Sequence, residues 1–269
     1  NVNIRTGQLT SASNYQMEFL DQTVLNQATT VNVINSLEVE NEEPIVGDIS
    51  IPDSEELKHR IRGTYASQNR TVTQQDYESY VYRMPPRFGS IKRCRVMRDN
   101  DSLKRNLNLY LVSEDERGLL TRTSTTLKGN VKTWLQKNKM INDTIDILDV
   151  KILNVGIYFT AVGSLDKSRF EILSAAKDKL SQRYSRLADI GEPFFITDIY
   201  KELRNVEGVL DVTDVRIEDL SGAISGREYS EVQYDVERYI SADGRYIEMP
   251  KNVIYEVKFP EFDIRGVIV

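Results

Sequence analysis

The apolar positions of this chain change their period several times, and each change marks an element. Residues 1–50 carry short two-residue alternations in Gln16 to Asp21 and in Thr30 to Glu40. Runs such as Val31-Asn32-Val33 and Leu37-Glu38-Val39-Glu40 fall there. Alternation puts successive side chains on opposite faces of a strand, so this segment reads as β-rich. From residue 53 the period lengthens. Asp53 or Ser54 can cap a helix whose apolar side is Leu57, Ile61 and Tyr65, at i, i+4 and i+8. Thr73 starts a second helix, with Asp76 spaced for a capping box ahead of Tyr77, Tyr80 and Val81. Pro85-Pro86 ends it, because proline has no amide donor and restricts the residue before it.

Two strands, Ile91 to Met97 and Leu107 to Val112, are predicted on either side of a turn at Asp99 to Ser102. A helix with Leu127, Val131, Trp134 and Leu135 on one face follows. Ile145 to Ala161 is the strongest strand region, running through Val150, Ile152, Val155, Ile157 and Phe159. Asp166 opens the clearest helix, with Phe170, Leu173, Leu180, Tyr184 and Leu187 as its predicted buried stripe. A short helix from Thr197 uses Ile199, Leu203 and Val206 before Gly208 stops it, and Val209 to Ile217 is a strand. This order predicts an α+β fold in which helices pack on one face of a mixed sheet. The expected divisions are a β-rich segment over 1–50, an α+β core over 51–218 and a β-rich C-terminal arm over 219–269.

Composition then narrows the chemistry. In 269 residues there are 35 Lys+Arg and 41 Asp+Glu, for a net charge of -6, with one His and one Cys. These counts exclude a disulfide within the chain and any Cys/His zinc site, and they leave His59 alone to serve a Ser-His-Asp or Cys-His scheme. His59 sits between Lys58 and Arg60, off the apolar stripe, and reads as a solvated surface residue. Cys94 has basic neighbours that can lower a thiol pKa, but no His partner nearby in sequence; it reads as a small strand residue. Gly222 to Gly226 lacks the Lys-Ser/Thr of a phosphate loop and reads as a turn. Glu38, Glu40, Glu42 and Glu43 cluster, with Glu38, Glu40 and Glu42 at strand spacing on one face, and they read as a solvated face. Asp143, Asp146 and Asp149 are scattered by their spacing, and Asp99-Asn100-Asp101 lacks the glycine and distal Glu of a calcium loop. The expectation is a protein without catalytic residues, cofactor or metal, and not an enzyme. No apolar stretch approaches the roughly 20 residues of a membrane span, so no membrane partner is expected. Asn1 to Arg5 carry neither an initiator Met nor a signal core, so the sequence reads as a piece of a longer chain.

Two surfaces suggest partners. Arg83, Arg87, Lys92, Arg93, Arg95, Arg98, Lys104 and Arg105 form a basic stretch opposed only by Asp99 and Asp101. An α+β sheet with basic strands is the alternative reading as a nucleic-acid-binding module over 83–105, but Ile91 to Met97 offers no aromatic for base stacking. A solvated face, or a surface for an acidic protein, suits the stretch better. The arm over 219–269 is dense in aromatics. Tyr229, Tyr234, Tyr239, Tyr255, Phe259 and Phe262 are the candidate protein-interface residues, with Tyr246 among them in sequence. Filling a local core is the competing reading for the same side chains.

The segment Tyr65-Ala66-Ser67-Gln68-Asn69-Arg70-Thr71-Val72-Thr73-Gln74-Gln75-Asp76-Tyr77, followed by Pro85-Pro86 and the strand from Ile91, resembles a family signature. That signature is arginine, small residue, Val-Thr, acidic residue and Tyr, in the baseplate J family of contractile tails. Residues 50–218 carry the resemblance, with Asn142 before the strand region, the helix after Asp166, and Gly208-Val209 leading to Val212 also agreeing. The resemblance implies a structural subunit of the baseplate wedge in the tail of a virion, assembled in the host cytoplasm. It implies self-association as a homodimer within a ring around a hub, contacts to other wedge proteins, and rearrangement when the sheath contracts. No catalytic residues belong to the family, and none carry over.

Overall fold

The computed structural model describes residues 31–32, 53–99, 106–115 and 117–269. The expected β-rich segment 1–50 lies outside the described residues except for Val31 and Asn32, which are helical rather than extended. The fold is α+β. The chain forms two compact units that divide between Leu148 and Asp149, inside the stretch 51–218 that reads as one core. The predicted strand region Ile145 to Ala161 is accordingly two strands, one in each unit.

In the first unit, α1 (Ser54–Ser67) and α2 (Gln74–Tyr82) precede β1 (Arg93–Arg98) and β2 (Asn106–Glu114). β3 (Leu120–Thr121), α3 (Thr125–Gln136) and β4 (Thr144–Asp149) follow. β1 and β3 pair antiparallel with β2, and β4 also pairs with β2. Alternation along β1 and β2 turns Cys94, Val96, Leu109 and Leu111 to one face. There they meet Tyr77, Tyr80 and Val81 of α2 and Leu127, Val131 and Leu135 of α3. The Trp134 indole donates to Tyr80 O at 2.8 Å and its ring stacks on the Tyr80 ring, which fixes α3 against α2.

The predicted apolar side of α1 is not its packing side. Leu57, Ile61 and Tyr65 are exposed, and α1 has only Ser67 buried. Its contact with α2 runs through Gly63, where a Cβ would collide with Ser79 Oγ. Glu56 and Arg60 extend that side, Glu56 accepting from Arg93 at 2.8 Å and Arg60 lying 4.3 Å from the Tyr82 ring centroid. A close backbone approach at a glycine outranked the hydrophobic stripe.

The second unit is built around β5 (Lys151–Gly163). In chain order come α4 (Arg169–Tyr184), β6 (Phe194–Phe195), α5 (Ile196–Arg204), β7 (Val209–Asp219), β8 (Ala223–Ile224) and β9 (Arg227–Glu228). β10 (Tyr246–Ile247), β11 (Val253–Glu256), the single turn α6 (Pro260–Asp263) and β12 (Ile264–Ile268) complete it. β7 runs antiparallel to β5, with Leu210 and Thr213 as extra residues at two register shifts, while β11 and β12 run parallel to it. Successive backbone groups of a strand point to opposite edges. Lys151 N bonds Asn252 O and Val269 N bonds Ala161 O, both odd positions of β5, whereas Leu220 N bonds Asn154 O, an even one. β11 and β12 therefore share one edge of β5 and β7 takes the other. The sheet is mixed, and two strands of the 219–269 arm belong to it.

Leu153, Val155, Ile157, Phe159 and Ala161 face a core shared with Ile172, Ala176 and Leu180 of α4 and Ile199 and Leu203 of α5. Both helices thus cover one face of the sheet, as predicted. Of the expected α4 stripe, Leu180 is buried and Leu173 and Tyr184 pack against the core, while Phe170 is exposed and Leu187 lies beyond the helix end at Tyr184. The N-cap is Ser168 and not Asp166. Asp166 instead accepts from Ser164 Oγ at 3.2 Å. Gly222 to Gly226 is a hairpin connection. Ser225 and Gly226 both have positive φ (51° and 76°), the backbone a two-residue turn between β8 and β9 needs.

Candidate protein interface

The signature residues fold into one polar connector between α1 and α2. Gln68 and Asn69 end α1 in left-handed conformation (φ 44° and 61°) without a glycine. Thr73 then caps α2. Its hydroxyl accepts from Asp76 N at 3.2 Å, and Asp76 accepts from Thr73 N at 2.8 Å and Val72 N at 3.2 Å. Those amide bonds outweigh the partial desolvation of Asp76 and hold its carboxyl below the usual range. Tyr77 is buried, donating from its hydroxyl to Asp143 Oδ2 at 2.8 Å and accepting from Met140 N at 3.3 Å. Thr71 donates to Asn138 O, and Asn138 Nδ2 donates to Asn69 O at 3.1 Å. The capping box was legible in sequence. The latch onto residues 138–143 was not, since its partners lie more than 60 positions away.

Other candidate chemistry disperses. Cys94 is buried and burial pushes its thiol upward, the reverse of the lowering that basic neighbours suggested. His59 is exposed on α1, as predicted. Asp143 is held by Tyr77, while Asp146 accepts from Asn106 on the neighbouring strand β2. Among the described residues no group of three or more His, Cys, Asp and Glu could hold a metal, and no helix is long and apolar enough to cross a membrane. Glu38, Glu40, Glu42 and Glu43 lie outside the described residues, as do Asn100, Asp101, Lys104 and Arg105. The rest of the basic stretch does not form one free face. Arg93 is buried and paired with Glu56, Lys92 pairs with Glu114 at 3.0 Å, Arg83 donates to Asn69 at 2.6 Å, and Arg87 covers the Phe88 ring.

The aromatic arm divides into anchored and presented side chains. Tyr229 donates to buried Asp263 at 2.6 Å and meets the Phe259 ring edge-on. Burial, together with the bond to Asp263, pushes its hydroxyl up to about 12. Tyr255 packs edge-on against buried Phe194. Tyr234 stacks on Tyr239 with ring centroids 4.8 Å apart and donates to Glu248 O at 2.6 Å. Tyr229, Tyr234, Tyr255 and Phe259 are therefore occupied within the unit. Phe262 is exposed but lies under the Arg227 guanidinium.

Tyr239 is presented, and it has company that the sequence did not reveal. β10 pairs with β6, setting Tyr246 opposite Phe195, and Ile240 bridges to Ile247. Tyr239 O and Tyr246 O accept from Glu248 N and Ser241 N, which folds residues 239–248 into a tight hairpin-like loop. Phe195, Tyr239, Ile240 and Tyr246 are all exposed around this pairing. The Phe195 and Tyr246 rings meet across this pairing with centroids 6.0 Å apart, and alternation puts Tyr239 on the same side, whereas Ile240 bridges to Ile247 on the side that faces the core. The three exposed aromatics form a surface suited to a protein partner. Phe195 was hidden because its neighbours in space come from a loop some 45 residues downstream.

Beside this loop, Asp219 accepts from Tyr234 N at 2.9 Å, while its Oδ1 is buried without a hydrogen-bond partner. Desolvation raises its carboxyl above the usual range, against the lowering by the Tyr234 amide. A raised folded-state value means the fold binds this proton more readily than the unfolded chain, so stability from Asp219 falls as pH rises through that value. Asp219→Asn is expected to be more stable than the parent at pH 7, and the advantage to vanish towards pH 4. Urea midpoints of both proteins across that range check it, and a pH-independent difference would count against it.

No family model matches the chain, and no curated protein matches it. A baseplate chain of the anti-feeding prophage, from a six-fold symmetrised cryo-EM structure, is similar to it at 13% identity with a TM-score of 0.45. The match covers 76% of this chain and 41% of that one, so this chain spans less than half of that chain's length.

Proposed function

We propose that the chain is a structural subunit of a contractile-tail baseplate wedge. In this reading it helps form a ring around the central hub by self-association and by contacts to other wedge proteins, and it rearranges when the sheath contracts. The observation that carries the reading is the signature from Arg70 to Tyr77. Thr71, Thr73, Asp76 and Tyr77 have defined roles there as latch and cap, which supports their occurring as a set. The presented aromatics Phe195, Tyr239 and Tyr246 supply a contact surface of the kind an assembly subunit needs.

Because β11 and β12 complete the sheet of the second unit, removing 219–269 would destroy that unit rather than an interface. Point substitution is the cleaner probe. Light scattering after size exclusion is expected to give a mass twice that of one chain, persisting on dilution. Tyr239→Ser combined with Tyr246→Ser is expected to weaken the dimer at least tenfold with an unchanged far-ultraviolet circular dichroism spectrum. A double variant that dimerises as the parent does would remove the patch as the self-association surface.

A further inference from the structure

The first unit carries a second surface, unrelated to the aromatic patch. α1 exposes Leu57, Ile61 and Tyr65 at 49%, 59% and 86%, and these are its only large apolar side chains. Its contact with α2 lies on the side of Gly63, Arg60 and Glu56, roughly a third of a turn around the helix. The row at i, i+4 and i+8 is a single ridge. Such a ridge fits the groove of another helix crossing it at about -50°.

The rim of this ridge decides what kind of helix fits. On the side away from α2 it is bordered by Lys58 and Arg62, both exposed. The acid nearest them, Glu55, is engaged with Lys58 at 2.7 Å, and Glu56 is taken by Arg60 and Arg93. A two-fold antiparallel pairing with a second α1 would bring like rims together, setting Lys58 and Arg62 against their own copies, which is unfavourable. A parallel pairing would align the two helix dipoles and turn one rim towards the side already used by α2. Lys58 already shares its charge with Glu55, so a carboxylate opposite Arg62 completes the rim, and apolar side chains satisfy the ridge.

We propose that the Leu57–Ile61–Tyr65 ridge of α1 docks an acidic amphipathic helix of a different protein. The proposal does not depend on the baseplate reading, and its test changes only residues of the first unit. The probe is a fluorescent, hydrocarbon-stapled 14-residue helix with Leu at every fourth position on one face and Glu along both rims. Its counterpart carries Lys in place of Glu. Full-length chain is expected to raise the anisotropy of the Glu peptide, with affinity falling as salt rises from 50 to 500 mM. The Lys peptide and the Ile61→Ser chain are each expected to bind at least tenfold more weakly. Ile61 is exposed, so this substitution leaves the fold intact, and Arg62→Glu gives a second variant that reverses the peptide preference. Equal binding of both peptides, no binding to the parent chain, or no loss in Ile61→Ser would overturn the proposal. So would a parent dimer that Ile61→Ser dissociates, which would assign the ridge to a second copy.

Discussion

Gly266→Ala is expected to destabilise the second unit by about 3 kcal/mol, through volume alone. Gly266 stands in β12 directly opposite Phe159 of β5, between the pairs Ile264–Ile157 and Ile268–Ala161. Residues opposite one another in a parallel pair share a face, and Ile264, Ile268, Phe159 and Ala161 are all in the core. The Phe159 ring lies across the glycine, so an added Cβ would run into three of its ring carbons. The backbone there is not in the left-handed region, so no conformational strain is added. Either the ring leaves a good rotamer in a packed core or β12 moves off β5, and both are costly. Urea unfolding followed by circular dichroism checks the magnitude. Adding Phe159→Leu to Gly266→Ala is expected to recover part of the loss, a coupling that a double-mutant cycle measures. Independent, additive losses would mean that the ring and the glycine do not meet.

This pair also shows where sequence reading stops. The run through Val155, Ile157 and Phe159 marked a strand here, though joined to β4 as one region and without a face assigned to it. That Gly266 serves its buried face depends on a parallel pairing between segments more than 100 residues apart, which no local period encodes. The same limit explains α1. Its spacing at Leu57, Ile61 and Tyr65 is an amphipathic pattern, and helix formation was correctly read from it. Which side faces the protein was settled by Gly63 meeting Ser79 on another helix. On α4, the side that meets the sheet is centred on Ile172, Ala176 and Leu180, with the expected Leu173 and Tyr184 at its margin, a choice made by packing on β5 and not by the helix's own spacing. Of the aromatic arm, density in tyrosine was visible but its division was not. Hydrogen bonds to Asp263 and Glu248 and ring contacts with Phe194 decide which aromatics are anchored, and the pairing of β10 with β6 brings in Phe195.

Tyr77→Phe is expected to cost about 2 kcal/mol, although it removes one oxygen and no apolar volume. The Tyr77 hydroxyl is the hinge pin of the latch: it donates to Asp143 and accepts from the amide of Met140. Both Tyr77 and Asp143 are buried, so water does not readily replace the missing atom. Without it the Asp143 carboxylate loses a donor in a desolvated place and the Met140 amide loses its acceptor, and unpaired buried polar groups are costlier than the bond itself was favourable. Asp143→Asn retains an acceptor for the hydroxyl and is expected to be milder. The chain has one tryptophan, and Trp134 packs on Tyr80 in the helix that carries Tyr77. Its fluorescence therefore follows this unit, and urea midpoints of the two variants supply the comparison. A loss below about 0.5 kcal/mol for Tyr77→Phe would mean that the latch does not stabilise the connector. The Tyr of the signature would then have to be explained by something other than folding, which would shift attention from its buried hydroxyl to the exposed Arg70 and Val72 beside it.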